Sequence, residues 1–451
     1  MKAGTFHKIS GWYMVFILML AYTLSFIDRQ VLNLLVGPIK DDTGLSDTQI
    51  SMLQGLAFTA SYILMSPVFG RLVDIGSRRK ILALGIAMWS LGTAFCGLAK
   101  SYTQLFLARL TVGGTEACLT PAAWSILTDA FPARTLPRVF SIYMMGPYLG
   151  GGFALIFGGL LLDMVGGWNL GGIPVLGELH PWQMVFVLVG LPGLLVAGMV
   201  LFIQEPPREA STTKGRREEV VALRDIWRVF VTWRGFYVNF YAGMSCIVIT
   251  LYAFPAWMPS VLIRNFDAPV GNVGVEYGVL VLVTGSVGVL TGPWISNWLT
   301  RGGRRDRLLI LPIGSSALMI VACLSLLFAQ SYLSGLAVAA VVGFLYSVPQ
   351  AVSTSALQLA TPSRMRGIAS AIYVFAVSVI GLGAAPTVVA LITDQIYADE
   401  MRVKEALAIT CSIASLAATL FLWRSSRHYR LLIGRDTDSL LSPRSESASC
   451  D

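Results

Sequence analysis

Residues 11–39 read GWYMVFILMLAYTLSFIDRQVLNLLVGPI. At about 1.5 Å per residue this run is long enough to cross the roughly 30 Å hydrocarbon core of a bilayer. Only one acid and one base interrupt it, Asp28 and Arg29. A carboxylate at membrane depth is costly unless it is paired, hydrated or protonated, so chains keep one there for a use. Lys2 and Lys8 precede the run, which is too long for a cleavable signal and offers no small-residue cleavage site. It reads as a first membrane span carrying a functional charge.

The rest of the chain has the same character. Of its 451 residues 55% are hydrophobic and only 13% charged, where a soluble protein carries about 25%. The deficit runs along the whole length, which implies a polytopic membrane protein. The net charge of +8 sits in short loops between apolar runs. That placement favours a topology signal over a nucleic-acid patch. Five of the six cysteines (Cys96, Cys118, Cys246, Cys323 and Cys411) fall in apolar segments, and none is in a metal-ligand spacing. His7, His180 and His428 are scattered, so no metal site is expected.

Twelve spans are predicted, over 12–39, 47–70, 80–99, 103–128, 138–163, 182–203, 235–261, 274–300, 307–329, 332–359, 367–393 and 403–423. The loops between them alternate in charge, with 26 of the 33 Lys and Arg on one side. The other side holds Lys40, Lys100, Arg264, Arg402 and Lys404. By the positive-inside rule both termini and the middle loop are cytoplasmic, in a plasma (inner) membrane. The expected fold is an all-α membrane protein. Its parts are an N-terminal six-helix bundle (1–203), a cytoplasmic middle loop (204–233), a C-terminal six-helix bundle (234–424) and a flexible cytoplasmic tail (425–451).

The two bundles repeat at an offset of 230. Ala130, Pro132, Arg134, Ile142 and Tyr143 map onto Ala360, Pro362, Arg364, Ile372 and Tyr373. Gly113 maps onto Gly343, and Gly151 onto Gly381. Parallel six-helix repeats are the plan of transporters that hold substrate between two halves. The loop after the second span reads Gly70-Arg71-Leu72-Val73-Asp74-Ile75-Gly76-Ser77-Arg78-Arg79. It resembles the signature loop of the major facilitator superfamily, with Ile75 replacing a basic residue and Ser77 a glycine. Its counterpart after the eighth span, Gly292-Pro293-Trp294-Ile295-Ser296, lacks the acid. Arg109-Leu110-Thr111-Val112-Gly113-Gly114-Thr115-Glu116 in the fourth span and Gly146-Pro147-Tyr148-Leu149-Gly150-Gly151 in the fifth also resemble family motifs. Within the superfamily, Phe26-Ile27-Asp28-Arg29 together with Arg109 through Glu116 resembles the Spinster branch. That resemblance implies two pseudo-symmetric bundles and sphingolipid or lysolipid transport.

Arg109 and Glu116 stand seven residues apart, two turns, and so share a helix face. Counting from the membrane surfaces, Asp28 lies between them in depth. Asp28, Glu116 and Arg109 are therefore the candidate proton-coupling set. When substrate or a rocking motion withdraws the arginine, the carboxylate loses its counter-charge and takes a proton. The alternative is a permanent buried salt bridge that fixes packing. Arg29, about 100° around the helix from Asp28, either grips an anionic substrate group or extends toward a wet cavity. Candidate substrate contacts are Arg29, Arg109, Tyr148, Asn239, Tyr252 and Gln350. The resemblance implies a cytoplasmic gate of Gly70, Asp74, Arg78 and Asp129, with Asp74 at the helix start around Gly367 and Arg78 near Asp129. Gly288, Gly292, Gly381 and Gly383 read as packing surfaces.

The C-terminal half places no acid at mid-depth, which suits an apolar wall facing an amphipathic substrate. No enzyme, P-loop, metal or cofactor signature is present. The expected function is proton-coupled secondary transport of a small amphipathic molecule by a monomer among membrane lipids, with no nucleic-acid partner. The alternatives are a small organic anion carrier using Arg29 and Arg109, and a non-transporting membrane sensor.

Overall fold

A computed structural model describes residues 3–132, 135–167, 179–206, 223–301, 305–362 and 365–433. Helices account for the secondary structure of the described residues, without strands. In hydrocarbon a helix satisfies every backbone N–H and C=O within itself, so this architecture follows from the composition.

Among the described residues, ten helices are long and apolar enough to cross a membrane. They include α1 (Ala3–Leu34) and α2 (Asp47–Ile75). Two further helical segments take the places of the third and fourth predicted spans. These are α3 (Arg78–Cys96) and α4 (Tyr102–Glu116 continuing as Leu119–Ala130). Then follow α5 (Arg138–Gly166), α6 (Pro181–Leu201), α7 (Arg234–Phe266), α8 (Val270–Leu299), α9 (Ile310–Phe328), α10 (Tyr332–Ala360), α11 (Ile368–Tyr397) and α12 (Val403–Ile433).

The duplication is visible in how helices begin and break. α4 starts at Ser101, whose Oγ accepts from the Gln104 N–H at 3.3 Å. α10 starts at Ser331, whose Oγ accepts from the Ser334 N–H at 3.3 Å. These N-caps are separated by the same offset as the sequence repeat. Both helices then break just past the midpoint, at Ala117-Cys118 and at Val348.

The boundaries differ from the predicted ones in three places. The first span ends at Leu34, and a separate helix, Val36–Thr43, carries the chain on. The middle loop contains a helix, Leu223–Thr232, while 207–222 lies outside the described residues. The segment assigned to the tail is helical as far as Ile433. Ser425, Tyr429 and Leu432 form a buried stripe on α12. The Ser425 hydroxyl donates to Phe236 O at 3.2 Å, and Tyr429 stacks on Phe236. The arginines between them conceal this stripe in the composition. Residues 434–451 lie outside the described residues.

Helices of the two halves meet along α5–α8, α2–α11 and α1–α7. Glycines permit the approach. A Cβ built on Gly152 would lie 2.5 Å from Leu282 Cβ, and one on Gly274 would lie 2.7 Å from Leu155 O. α2 and α11 cross where both depart from α geometry, in π-turns at Met52–Leu56 and Ser378–Ala384. Such turns add a residue to the helical turn and frequently mark functional positions. The glycines read as packing surfaces do pack. Gly288 and Gly292 face Ser347 and Val348 of α10, Gly381 faces Val248, and Gly383 faces Thr59.

Candidate functional site

Antiparallel packing brings α4 against α1, and the ionisable groups meet there. Asp28, Arg109 and Glu116 are each at most 2% exposed. Their pairing differs from the expected one. The Arg109 guanidinium donates from Nη1 to the main-chain carbonyl of Asp28 at 2.9 Å and from Nη2 to that of Arg29 at 3.3 Å. A helical carbonyl has a second lone pair for such a donor. Glu116 pairs instead with Arg29, whose Nε donates to Oε2 at 2.7 Å; the Ser25 hydroxyl donates to the same oxygen at 3.0 Å. Glu116 therefore approaches Arg29 and Ser25, and Arg109 reaches the backbone beneath Asp28. Neither arginine makes a described hydrogen bond to the Asp28 carboxylate. The Thr93 hydroxyl of α3 lies alongside that carboxyl but has no hydrogen bond of standard geometry.

Aromatic rings enclose Arg29. Its guanidinium carbon is 4.3 Å from the Phe58 ring centroid, 4.8 Å from that of Phe26 and 5.5 Å from that of Tyr62. Cation–π contact of this kind holds a guanidinium where water is scarce. Tyr252 is an electrostatic neighbour of Arg29, and Tyr148 of Tyr252. Arg29, Tyr148 and Tyr252 are thus brought together. Gln350 donates to the Tyr346 carbonyl at 3.1 Å, one turn back on α10. Asn239 is not part of the group. It lies near the start of α7, thirteen residues before Tyr252, and donates to Gly235 O at 2.7 Å. Its amide is spent on the helix that carries it, which residue type alone could not reveal.

Several buried polar atoms around this centre have no hydrogen-bond partner among the described residues. They include Glu116 Oε1, Arg109 Nε, Thr59 Oγ1, Thr250 Oγ1 and Gln54 Oε1. Gln54 also links the halves, with Nε2 donating to Asn33 Oδ1 at 3.2 Å and toward Ala256 O at 3.5 Å. Sequence reasoning missed Ser25, Thr93, Asn33, Gln54, Phe58 and Tyr62. Ser25 could have been found, because it stands one turn before Arg29 on the same face of α1. Among the described residues, no group of His, Cys, Asp and Glu is placed to hold a metal ion.

At the opposite end of α2, Arg78 is 1% exposed and pairs with Asp129. It also donates to Glu205 Oε1 at 3.1 Å, Ser125 Oγ at 3.0 Å and Pro206 O at 2.6 Å. Burial pushes the Glu205 carboxyl up, but hydrogen bonds from Ser77 and Arg78 outweigh it and hold it below the usual glutamate range. Its contribution to stability is therefore present at neutral pH and lost as pH falls through that lowered value. Gly70 has no atom within 4 Å of a built Cβ, so packing does not require a glycine there. Asp74 is exposed, and Gly367 lies in the first turn of the helix Arg366–Val377. Arg78→Ala is expected to destabilise the protein by about 2 kcal/mol. That is less than the ~3–5 kcal/mol of a wholly buried pair, because Asp129 and Glu205 keep some water. A thermal shift in detergent checks this; an unchanged midpoint would count against it.

Residues 18–386 match the family model described as Major Facilitator Superfamily. The chain belongs to that superfamily. This facilitator is 27% identical over 434 residues to an MFS-type efflux pump of Mycolicibacterium smegmatis, covering 93% of this chain and 94% of the relative. It is 25% identical over 399 residues to the mouse sphingosine-1-phosphate transporter SPNS2, covering 84% and 69%. Among solved structures it is similar to a bacterial homolog of the human lysosomal transporter Spinster, in an inward-facing and unoccupied conformation. The TM-score is 0.78 at 25% identity, over 94% of this chain and 97% of that one. The facilitator is thus a Spinster-like, multi-pass membrane transporter.

Proposed function

We propose that this transporter is proton-coupled and moves an amphipathic, lipid-like molecule by rocking its two six-helix halves, acting as a monomer. It sits in the plasma (inner) membrane with both termini cytoplasmic, the orientation that its loop charges favour. The observation that carries the reading is the state of Asp28. Both nearby arginines are engaged elsewhere, Arg29 with Glu116 and Arg109 with main-chain carbonyls. Asp28 is left as a buried carboxyl without a hydrogen-bonded cation, the member of the set suited to exchange a proton. A change in helix packing that redirects either arginine to Asp28 would expel that proton, and this ties protonation to the rocking motion.

The substrate class has weaker but consistent support. Arg29 and Arg109 are occupied, which disfavours their use as grips for a small anion in this conformation. A cavity of about 370 Å³ between α8 and α10, lined by Pro293, Ser296, Asn297, Thr300, Val352 and Ser355 among others, contains no charged side chain. Ser296, Asn297, Thr300 and Ser355 make that wall polar but uncharged, so its described residues offer a small anion no counter-charge. The mouse relative is a sphingosine-1-phosphate transporter.

The test is uptake into proteoliposomes of lysolipid, sphingosine-type and sugar-acid substrates, with and without a pH gradient. Glu116→Gln is expected to reduce gradient-driven lysolipid flux at least about tenfold, because Arg29 loses its counter-ion and is left as a buried, unpaired cation. A preference for sugar acids would replace the lipid reading with the anion carrier. Full gradient-driven flux in Glu116→Gln would remove this acid from the coupling set.

A further inference from the structure

The end of the molecule that bears Lys40 and Asp47 joins the two halves through charges that the transport reading does not use. Asp47 opens α2, and its side chain is 0% exposed. Arg264, at the end of α7 in the other half, donates to both of its oxygens, at 2.6 and 2.8 Å. Lys40, preceding α2, donates to Asp47 Oδ1 at 2.6 Å and reaches Glu400 of the other half, also at 2.6 Å. Each half thus supplies one cation and one anion, and the cross pairs are Asp47–Arg264 and Lys40–Glu400. A bidentate guanidinium–carboxylate pair of this kind is strong and geometrically exacting.

Two further acids reach across the same end. Asp394, in the last turn of α11, accepts from both the N–H and the hydroxyl of Thr48 at 2.7 Å each, in the first turn of α2. Asp163, in the last turns of α5, lies against the first turn of α8. A Cβ built on Gly271 would sit 1.8 Å from its Oδ2. Helix N-termini attract carboxylates through their free N–H groups and dipole. In the duplication α5 corresponds to α11 and α2 to α8, so the two contacts are pseudo-symmetric equivalents. Each is an acid near the end of one helix that meets a helix start in the opposite half, Asp394 by hydrogen bonds to Thr48 and Asp163 by packing against Gly271.

We infer that these six residues form an outer latch: the Lys40–Asp47–Arg264–Glu400 quartet flanked by Asp394, which caps the start of α2, and Asp163, which packs against the start of α8. The latch holds the outer ends of the halves together and must dissolve for the transporter to open outward. The inference rests on the alternating-access reading, but its test needs neither substrate nor gradient. Failure of proton coupling therefore leaves it standing, and its own failure leaves coupling untouched.

The test is a pulsed-EPR distance measurement between spin labels at Thr43 and Gln395, both outside the latch, in full-length protein whose six cysteines are replaced by serine. Asp47→Asn is expected to move the population toward long outer distances and to lower the closed-to-open ratio about tenfold or more. Arg264→Gln should do the same, and the double variant should be no worse than the worse single one, as for two members of one pair. Asp163→Asn with Asp394→Asn leaves the quartet intact and should lengthen the distances by itself, which keeps the test decisive if Asp47→Asn does not fold. Distance distributions like wild type in that acid pair, or in a folded Asp47→Asn, overturn the latch. Additive effects of Asp47→Asn and Arg264→Gln also overturn it.

Discussion

Asp28→Asn is expected to abolish proton-driven accumulation while leaving substrate exchange intact. Asparagine keeps the shape of the side chain, and Arg109 still finds the main-chain carbonyls of residues 28 and 29, because those bonds do not involve the carboxyl. Packing at this point of α1 should survive. What disappears is the one buried carboxyl in the set that has no hydrogen-bonded cation. A pH difference of one unit is worth about 1.4 kcal/mol per proton, which can hold about a tenfold substrate gradient for each proton coupled. In proteoliposomes with that gradient the wild type should approach this accumulation ratio. The variant should level off near a ratio of about one while exchanging labelled for unlabelled substrate at close to the wild-type rate. Accumulation against a gradient in Asp28→Asn would show that its proton does not move in transport. Loss of exchange as well would assign Asp28 a structural or substrate-binding part.

The contrast between Asp28 and its neighbours shows how far the sequence reaches. Charged residues inside apolar runs stand out in composition, so Asp28, Arg109 and Glu116 were legible, and two-turn spacing placed Arg109 and Glu116 on one face. Their partners were not legible. Whether Asp28 or Arg29 meets Glu116 depends on the rotation of α1 about its axis, which periodicity fixes only to within a residue or so. The aromatic enclosure of Arg29 by Phe26, Phe58 and Tyr62 joins two helices, and the spacing within either one does not indicate it. Asn239 and Gln350 looked alike as polar residues in apolar spans, yet each amide is bound to a carbonyl one turn back. The fold was more accessible because hydropathy, loop charge and the offset repeat each report on it separately. The end of α12 escaped for the opposite reason. There the buried stripe of Ser425, Tyr429 and Leu432 is diluted by arginines that a window average counts as tail.

Gly55 is the second position where a single change should have a large effect. Gly55 lies in the π-turn of α2 where it crosses α11. A Cβ there would meet Leu382 O at 2.6 Å and Gly383 O at 2.7 Å. Both obstacles are main-chain atoms, so no side-chain rotation can relieve the clash and the two helices must part. They belong to opposite halves, and their parting would pull apart the Gln54 link toward Ala256 O beside it. Overpacking in a tight interface typically costs about 1–3 kcal/mol. On the latch reading this interface parts when the outer ends separate, so that cost should fall on one arm of the transport cycle. The series Gly55→Ala, Gly55→Val and Gly55→Leu should therefore lower flux progressively, to about tenfold or more below wild type at Leu. The same series should shift outer-end distances toward the open form. Gly314→Ala, on α9 with no atom within 4 Å of the new methyl, should leave both unchanged. A Gly55→Leu protein that inserts normally and transports at the wild-type rate would mean that the halves never close along this crossing during turnover.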